Sequence, residues 1–577
     1  MTKKITVIAL LFILSVSSYA QENTKKFWLS GLSRGVYSLD ELKGEETDTT
    51  SASKAEYGHT LVDLSANIRP NEHTYIRTTI RVRNDYGGFW GSGTTFGLRE
   101  LYLRGLIANS VRYQVGDMDY KLSPFTFYNN NEDLYENTLD IFNMYSEMMH
   151  YDYFFKGNNT WRQQGLATDF SLSFKKGIEE LQFNLFTSRI NPSNFSTVSD
   201  RVFFGGNLTM VQSDQFSAGL NYINLTDVAG TSNNLNYFKN PVLTGTYKVN
   251  AIQGNFKFQL DGESGFSKSF TENNEDPDNV VKENLVEDYF NYSTFTTDYA
   301  PLNLKFTIAY RNVGQGFRSA GAQMRRLKFA TQAFMFNRYT NEQIVRPIGM
   351  WDIHNDPTLY NSQIQVGLAE FYPQYNNIDP YGLATPNRKG LDFDLIHIDE
   401  QNRYSFSLQY GMLSEIVGLG VDDLKKFNTL SANLDLNIEN MLPIYDKQIL
   451  IQLGYTNDQT KRTGDQDFIQ TELNTQRIYA GLTLELTDKL YYLAGYEAIE
   501  ASGDDYLANR DRNDVIDDFT LFETELSEKI IGMGLRYEFD DKNNLQILWQ
   551  DYNWSNSVLG TEDYGFDRLS VIYIMKF

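Results

Sequence analysis

The chain contains no cysteine and little proline, and both scarcities narrow its class. Among 577 residues there are 0 Cys and 12 Pro. Without cysteine the chain cannot form a disulfide scaffold, a thiolate nucleophile or a Cys-ligated zinc or iron–sulfur centre. Basic residues are also outnumbered, 51 against 74 acidic ones, giving a net charge of −23. This balance argues against a nucleic-acid partner.

Long apolar runs are missing as well. No stretch of ~18 apolar residues occurs, and the mean hydropathy is −0.44, so a polytopic helical membrane protein is excluded. The 38 Tyr and 39 Phe argue against disorder. No nucleophile elbow, phosphate loop, HExxH or dinucleotide motif is found, so we expect no enzyme and no cofactor. Potential metal ligands recur in Asp352-Ile353-His354-Asn355-Asp356, but a solvated turn explains them better, so we expect no metal site.

The first 20 residues have the composition of a secretory signal peptide. Lys3 and Lys4 precede an apolar run from Ile5 to Leu14, and Ser18-Tyr19-Ala20 fits a cleavage site. We therefore expect segment 1–20 to direct export.

Period-two alternation dominates the rest of the chain. One segment alternates Ile76, Thr78, Ile80 and Val82 with arginines and a threonine, and similar patterns recur as far as the C-terminus. A strand with this pattern has one apolar and one polar face. Sandwich strands also alternate. Short turns such as Pro70–His73 alternate with long polar linkers such as 40–57, however, and this asymmetry favours a membrane barrel.

The patterns predict an all-β fold, a single antiparallel transmembrane β-barrel of about 22 strands (18–24 possible) over residues 21–577, with short periplasmic turns and long external loops. The first strand begins near Lys26, so we expect no N-terminal plug domain. An extra pair of strands within 312–389 is left open. The predicted strands begin near residues 27, 60, 75, 96, 111, 166, 181, 202, 216, 242, 253, 288, 303, 390, 403, 427, 448, 472, 489, 520, 545 and 564.

The last segment is the most specific local feature. Leu569, Val571, Tyr573, Met575 and Phe577 alternate with Ser570, Ile572, Ile574 and Lys576. This pattern resembles the C-terminal strand of Gram-negative outer-membrane β-barrel proteins, which commonly ends on an aromatic residue. The resemblance implies a porin-like barrel in the cell outer membrane, in contact with its lipid, and indicates no closer family. Aromatic residues near strand ends suit interfacial girdles, with lining of the interior as the alternative for some of them. These residues are Trp28, Tyr57, Tyr113, Tyr222, Tyr310, Tyr410, Tyr455 and Tyr492.

Two long connections, 118–165 and 314–389, are candidates to fill the lumen. Both contain many apolar residues, which argues against plain disorder. We predict that they constrict or cap the lumen, with a possible helix over Leu134–Met149. The alternative is that they stand as surface loops.

The candidate site in the lumen consists of arginines on the polar faces of strands. Because an unpaired arginine cannot face hydrocarbon cheaply, those on the polar phase of strands should face the lumen. They could form an anion-attracting constriction, or they could pair with acids, such as Asp63 opposite Arg81 and Glu100 beside Arg104. The lumen or constriction candidates are Arg77, Arg81, Arg83, Arg104, Arg112, Arg325 and Arg326.

Two functions remain open. The first is a channel for passive or selective passage of small polar or anionic solutes. The second is a non-conducting barrel within an outer-membrane assembly, secretion or surface-display complex, in which the long loops dock protein partners. The width of the barrel and the arginines favour the first function, whereas the long apolar loops favour the second.

Overall fold

The structure is a computed structural model. It describes residues 26–43, 54–86, 93–128, 138–149, 151–152, 161–275, 280–323, 350, 354, 372–442, 446–465, 470–510, 516–558 and 563–577. The predicted signal peptide 1–20 lies outside these residues.

The chain forms one closed antiparallel barrel of 22 strands. Each strand pairs with the next along the chain. The first strand also pairs with the last, so this sheet has no free edge. The strands β1 to β22 span Phe27–Lys43, Lys54–Asn71, Thr74–Asp85, Thr94–Ile107, Val111–Tyr120, Trp161–Ser173, Glu180–Asn191, Arg201–Ser213, Phe216–Asp227, Asn236–Gln253, Phe256–Asn273, Val281–Tyr299, Leu304–Val313, Arg388–Ile398, Tyr404–Ser414, Lys426–Asn437, Ile449–Arg462, Thr471–Thr487, Leu490–Arg510, Ile516–Asp540, Asn543–Asn556 and Tyr564–Lys576.

The predicted fold class is confirmed. The largest differences in strand position concern β2, β10 and β12, which begin several residues earlier than predicted. The added residues at the starts of these strands are mostly polar. They extend the strands beyond the apolar band, where polar residues do not alternate with apolar ones. No described residue between β13 and β14 belongs to a strand, so the described part of 312–389 contains no extra pair.

The two ends of the barrel differ. Most even-numbered strands are followed by short turns, such as the one joining β2 (to Asn71) to β3 (from Thr74), and the exception is the connection from β16 to β17, which contains the helical turn Ile438–Met441. Odd-numbered strands are followed by longer connections, of which the longest join β5 to β6 and β13 to β14. We call these the turn end and the loop end. This asymmetry is typical of outer-membrane barrels.

The alternation places apolar residues outside. On β22, Leu569 is 47% exposed, whereas Ser570 and Ile572 are fully buried. Leu166, Leu220 and Ile531 are likewise exposed on other strands. The barrel therefore has the apolar outer face that lipid requires and inward side chains that fill or line the lumen.

The seam between β1 and β22 is closed by the last residue. The Phe577 N–H donates to the Gly31 carbonyl (3.0 Å), and the Gly31 N–H donates to the Phe577 carbonyl (2.8 Å). A Cβ at Gly31 would lie 2.8 Å from the Phe577 ring, so the glycine makes room for the aromatic end of the chain.

Helices are few in the described part. The longest, α1, spans Asp140–Met149 inside the connection between β5 and β6. Short helical turns occupy Ala300–Leu302, Pro373–Asn376, Gly382–Ala384 and Ile438–Met441. Among the described residues, no helix is long and apolar enough to cross a membrane.

Candidate functional site in the barrel lumen

Helix α1 packs against one side of the barrel wall. Ile141, Phe142 and Tyr145 are at most 2% exposed and join an apolar cluster with inward residues of β1 and β18 to β22. The Tyr145 hydroxyl forms a 2.7 Å hydrogen bond with Ser570 of β22. The helix lies within the predicted range Leu134–Met149 and begins at Asp140, and residues 134–137 of that range lie outside the described part.

The N-terminus of α1 is fixed to the wall by Asp140. Its carboxylate accepts hydrogen bonds from the Arg536 guanidinium (2.6 Å) and the Thr483 hydroxyl (2.8 Å). Its backbone N–H donates to Gln452 (3.1 Å). A carboxylate in the first turn of a helix also complements the helix dipole, so these contacts hold the helix in one orientation.

A second apolar cluster joins both long connections to the opposite side of the wall. Phe125 stacks on Phe290 of β12 with ring centroids 4.0 Å apart. The Tyr128 N–H donates to the Gly321 carbonyl (2.9 Å), so the two connections bond directly to each other. A Cβ at Gly321 would lie 2.3 Å from the Thr126 carbonyl oxygen, and this close approach requires glycine.

The two connections also meet at α1. His354, from the β13–β14 connection, lies edge-on to Phe142 and Tyr145, with centroid distances of 5.0 and 5.2 Å. Its carbonyl accepts a hydrogen bond from Arg568 of β22, whose guanidinium also binds Asp40 of β1 (2.7 Å). Hence described parts of both connections are packed among inward-facing wall residues.

An arginine cage holds one acidic residue of the β5–β6 connection. We define this cage as Arg34, Arg81 and Arg99. Asp152 is held by Arg34 (2.5 Å) and Arg81 (2.9 Å), with Arg99 at 3.8 Å. Burial alone would raise the pKa of Asp152, but the three guanidinium groups lower it to about 2. Asp152 is therefore a charged anchor.

The neighbouring Tyr151 strengthens the same contact. Its hydroxyl donates to Asp63 of β2 (2.6 Å), and its ring lies 4.2 Å from the Arg99 guanidinium. Asp63 in turn binds Arg81 through two 2.8 Å hydrogen bonds.

The predicted arginine candidates within the described part have two kinds of surroundings. Arg77 pairs with Glu100 (3.1 Å), Arg81 with Asp63 and Asp152, Arg83 with Asp85 (2.8 Å), and Arg112 with Asp169 (2.5 Å). Glu100 therefore pairs with Arg77, not with Arg104 as one alternative had it. Arg104 lies over the Tyr75 ring, and in the described part of the chain it forms no ion pair. Arg325 and Arg326 lie outside the described residues.

Two cage residues, Arg34 and Arg99, are not among the arginines predicted from the sequence. Arg99 occupies a β-bulge, where the pairing of β3 with β4 shifts between Thr79 and Ile80. A bulge inserts one residue and so breaks the period-two pattern that identifies inward positions. Arg34 lies on the same face of β1 as Ser38 and Asp40. These polar residues on one face are the sequence feature that indicates an inward position for Arg34.

Acidic residues gather on the other side of the lumen. Arg311 of β13 binds Asp379 (2.6 Å) and approaches Asp392 of β14 (3.5 Å). Asp394 and Asp435 follow the same inward phase on β14 and β16. These acids therefore lie away from the arginine cage, which is on β1, β3 and β4, although buried arginines such as Arg388 and Arg477 occur on this side too.

A cavity of about 750 Å³ opens at the turn end beside β3 to β7. Its lining is mainly polar and aromatic, with few apolar side chains. The lining residues are Arg69, Glu72, His73, Thr74, Tyr75, Arg104, Gly105, Leu106, Arg112, Tyr113, Gln114, Tyr120, Ala167, Thr168, Asp169 and Asn184.

Two of the predicted girdle aromatics face the lumen instead. Trp28 stacks on Tyr75, and the Tyr57 hydroxyl donates to Asp40 (3.1 Å). For these two the alternative of an interior position applies, because an aromatic residue near a strand end suits either face. Tyr222, Tyr310 and Tyr410 are exposed on the outer face, as expected.

No metal-binding group of three His, Cys, Asp or Glu residues occurs in the described part of the chain. Of the pentapeptide that spaces metal ligands, only His354 is described, and its ring packs against the aromatic side chains of α1.

Comparison with known proteins finds fold likeness without a family. No family model matches, and no curated protein matches significantly. Among solved structures, OccK5 (OpdH) of Pseudomonas aeruginosa is 14% identical, covering 96% of this chain and 98% of that chain, with a TM-score of 0.34. A BenF-like porin from Pseudomonas fluorescens is 9% identical, covering 96% and 99%, with a TM-score of 0.33. The copper transporter OprC is 11% identical, covering 96% and 82%, with a TM-score of 0.46. These likenesses are too distant to assign a function.

Proposed function

We propose that the chain is an outer-membrane channel that passes small polar or anionic solutes through a lumen narrowed by its two long connections. The observation that carries the proposal is the polar cavity of about 750 Å³ inside the barrel at the turn end. A barrel whose lumen is packed only for stability does not need a charged cavity of this size, whereas a path for solutes does.

The packed connections account for selectivity. Helix α1 and the segments around Phe125 and Gly321 fill opposite sides of the lumen with apolar contacts. Solutes must pass the charged residues that remain, and rings of arginine suit anion pores. Because most of these arginines are paired with acids, the field favours anions weakly and does not exclude neutral solutes.

Liposome swelling tests the proposal. Protein refolded into liposomes is mixed with arabinose, raffinose, sodium acetate or a large dextran, and swelling is followed by light scattering. We expect arabinose and acetate to enter faster than raffinose, and dextran to stay outside. Folded protein that admits none of the small solutes would contradict the proposal, and liposomes with heat-denatured protein are the control.

A second function is favoured by the same interlocked connections. If the Tyr128–Gly321 hydrogen bond and the packing of His354 against Phe142 close the lumen fully, the barrel would serve as a scaffold in an assembly, secretion or surface-display complex. This alternative predicts no swelling together with stoichiometric co-purification of a membrane protein after mild detergent extraction.

A further inference from the structure

A stack of aromatic rings lines the lumen at the turn end. The Trp28 and Tyr75 rings are stacked with centroids 5.8 Å apart, and Tyr102 follows at 6.0 Å from Tyr75. The Tyr75 hydroxyl donates to Asn67 (2.6 Å), which itself donates to Ser30 (2.9 Å). Since Asn67 is only 2% exposed, the stack rests on a fixed polar support.

Two arginines lie on this stack. The Arg104 guanidinium is 4.7 Å from the Tyr75 centroid, and that of Arg69 is 5.6 Å from the Trp28 centroid. Aromatic rings orient a guanidinium without neutralising it. In the described part of the chain neither Arg69 nor Arg104 forms an ion pair, unlike the neighbouring Arg77 and Arg112.

Both arginines line the 750 Å³ cavity at the turn end. With them, the lining contains Arg112 and the carboxylates of Glu72 and Asp169, so it carries one net positive charge when His73 is neutral. Asp169 already binds Arg112. One negative charge therefore balances the cavity, whereas a doubly charged ion would leave one excess negative charge beside Glu72 and Asp169.

We propose that Arg69 and Arg104 form a binding site for a singly charged organic carboxylate. Arginine matches the planar carboxylate with paired N–H donors. The ring faces beside the arginines are already covered, so the body of the ligand extends into the cavity, where Leu106 and Ala167 offer apolar contact. The site deepens the proposed function by naming a solute class, and its place on a solute path rests on that function.

Calorimetric titration of the detergent-solubilised full-length barrel tests the site. Benzoate is the probe, benzamide its neutral counterpart and inorganic phosphate the competing oxyanion. We expect benzoate to bind, benzamide not to bind and phosphate to bind more weakly. Arg104→Gln and Arg69→Gln should each weaken benzoate binding by about tenfold or more, since each loses a charge-assisted hydrogen bond.

Two further variants separate the site from general effects. Arg189→Gln removes an exposed arginine at the loop end and should leave benzoate binding unchanged. Tyr75→Leu keeps both charges but removes the ring that orients Arg104, so it should weaken binding too. Heat-modifiable electrophoretic mobility checks that every variant is folded.

The outcomes are distinguishable from those of the swelling assay. A folded wild type that binds no benzoate overturns the site even if small solutes enter liposomes. Equal binding of benzamide or of phosphate overturns the assigned solute class. Benzoate binding that depends on Arg69 and Arg104 supports the site even if no solute enters liposomes, in which case only the channel function fails.

Discussion

Neutralising the anchor Asp152 should release the β5–β6 connection from the wall. In Asp152→Asn the cage loses the anion that Arg34 and Arg81 bind directly, at 2.5 and 2.9 Å. Arg34 is 2% exposed, and its other hydrogen-bond partner among the described residues is His59, which offers no negative charge. Breaking a buried ion pair from one side costs roughly 3–5 kcal/mol.

The lower end of that range applies because Arg81 keeps Asp63 as a partner. About 3 kcal/mol changes the equilibrium constant between the docked and the undocked β5–β6 connection by roughly a hundredfold. The barrel itself should stay folded, since none of its strand pairs is changed.

Hydrogen–deuterium exchange of the α1 amides in detergent micelles measures this shift. We expect exchange in Asp152→Asn to be about a hundredfold faster than in the wild type, with faster swelling of liposomes. Asp169→Asn is the matched control, since Asp169 pairs with an Arg112 side chain that is 74% exposed, and such pairs contribute about 0–1 kcal/mol. Equal α1 exchange in Asp152→Asn and the wild type would refute the role of the anchor.

Three further predictions concern folding and the turns. Gly31→Ala places a Cβ 2.1 Å from the Asp63 carbonyl oxygen and 2.8 Å from the Phe577 ring, so it should lower the free energy of unfolding by about 1–3 kcal/mol and reduce the folded yield on gels. Gly35→Ala, whose Cβ meets nothing within 4 Å, should leave both unchanged. Phe125→Ala removes the stack on Phe290 and should destabilise the cluster by about 3–5 kcal/mol in urea unfolding, and Phe195→Ala, at 82% exposed, should be neutral. The Arg403 guanidinium and nearby backbone N–H groups hold the pKa of Asp399 in the β14–β15 turn well below its ordinary 3.8. This stabilisation is present above pH 3.8 and is lost as the pH falls through the lowered pKa. Asp399→Asn should therefore have a lower free energy of unfolding than the wild type at pH 7, and the difference between the two proteins should become smaller on acidification.

Much of the barrel could be predicted because lipid imposes a simple rule. Strands that face hydrocarbon on one side must alternate, and β22 shows this from Leu569 to Phe577 with Ser570 and Ile572 turned inward. The prediction weakened only where strands extend past the apolar band, as at the start of β2, because polar residues there carry no alternation.

The lumen could be predicted less well because its contacts join residues far apart in sequence. The pairing of Asp63 with Arg81 follows from the register of neighbouring strands, and it was one of the alternatives. The contact of Asp152 with Arg34 joins a loop to a strand 118 residues away, and no local pattern predicts it. The bulge at Arg99 and the inward position of Trp28 depend on backbone details that period-two alternation does not encode.

Single-channel recording in planar lipid bilayers tests the central claim most directly. If the lumen is a narrowed solute path, folded wild-type protein should give discrete current steps in potassium chloride, and addition of benzoate should reduce them. Correctly folded, inserted protein that gives no current steps at any applied voltage would contradict the proposal of a conducting lumen.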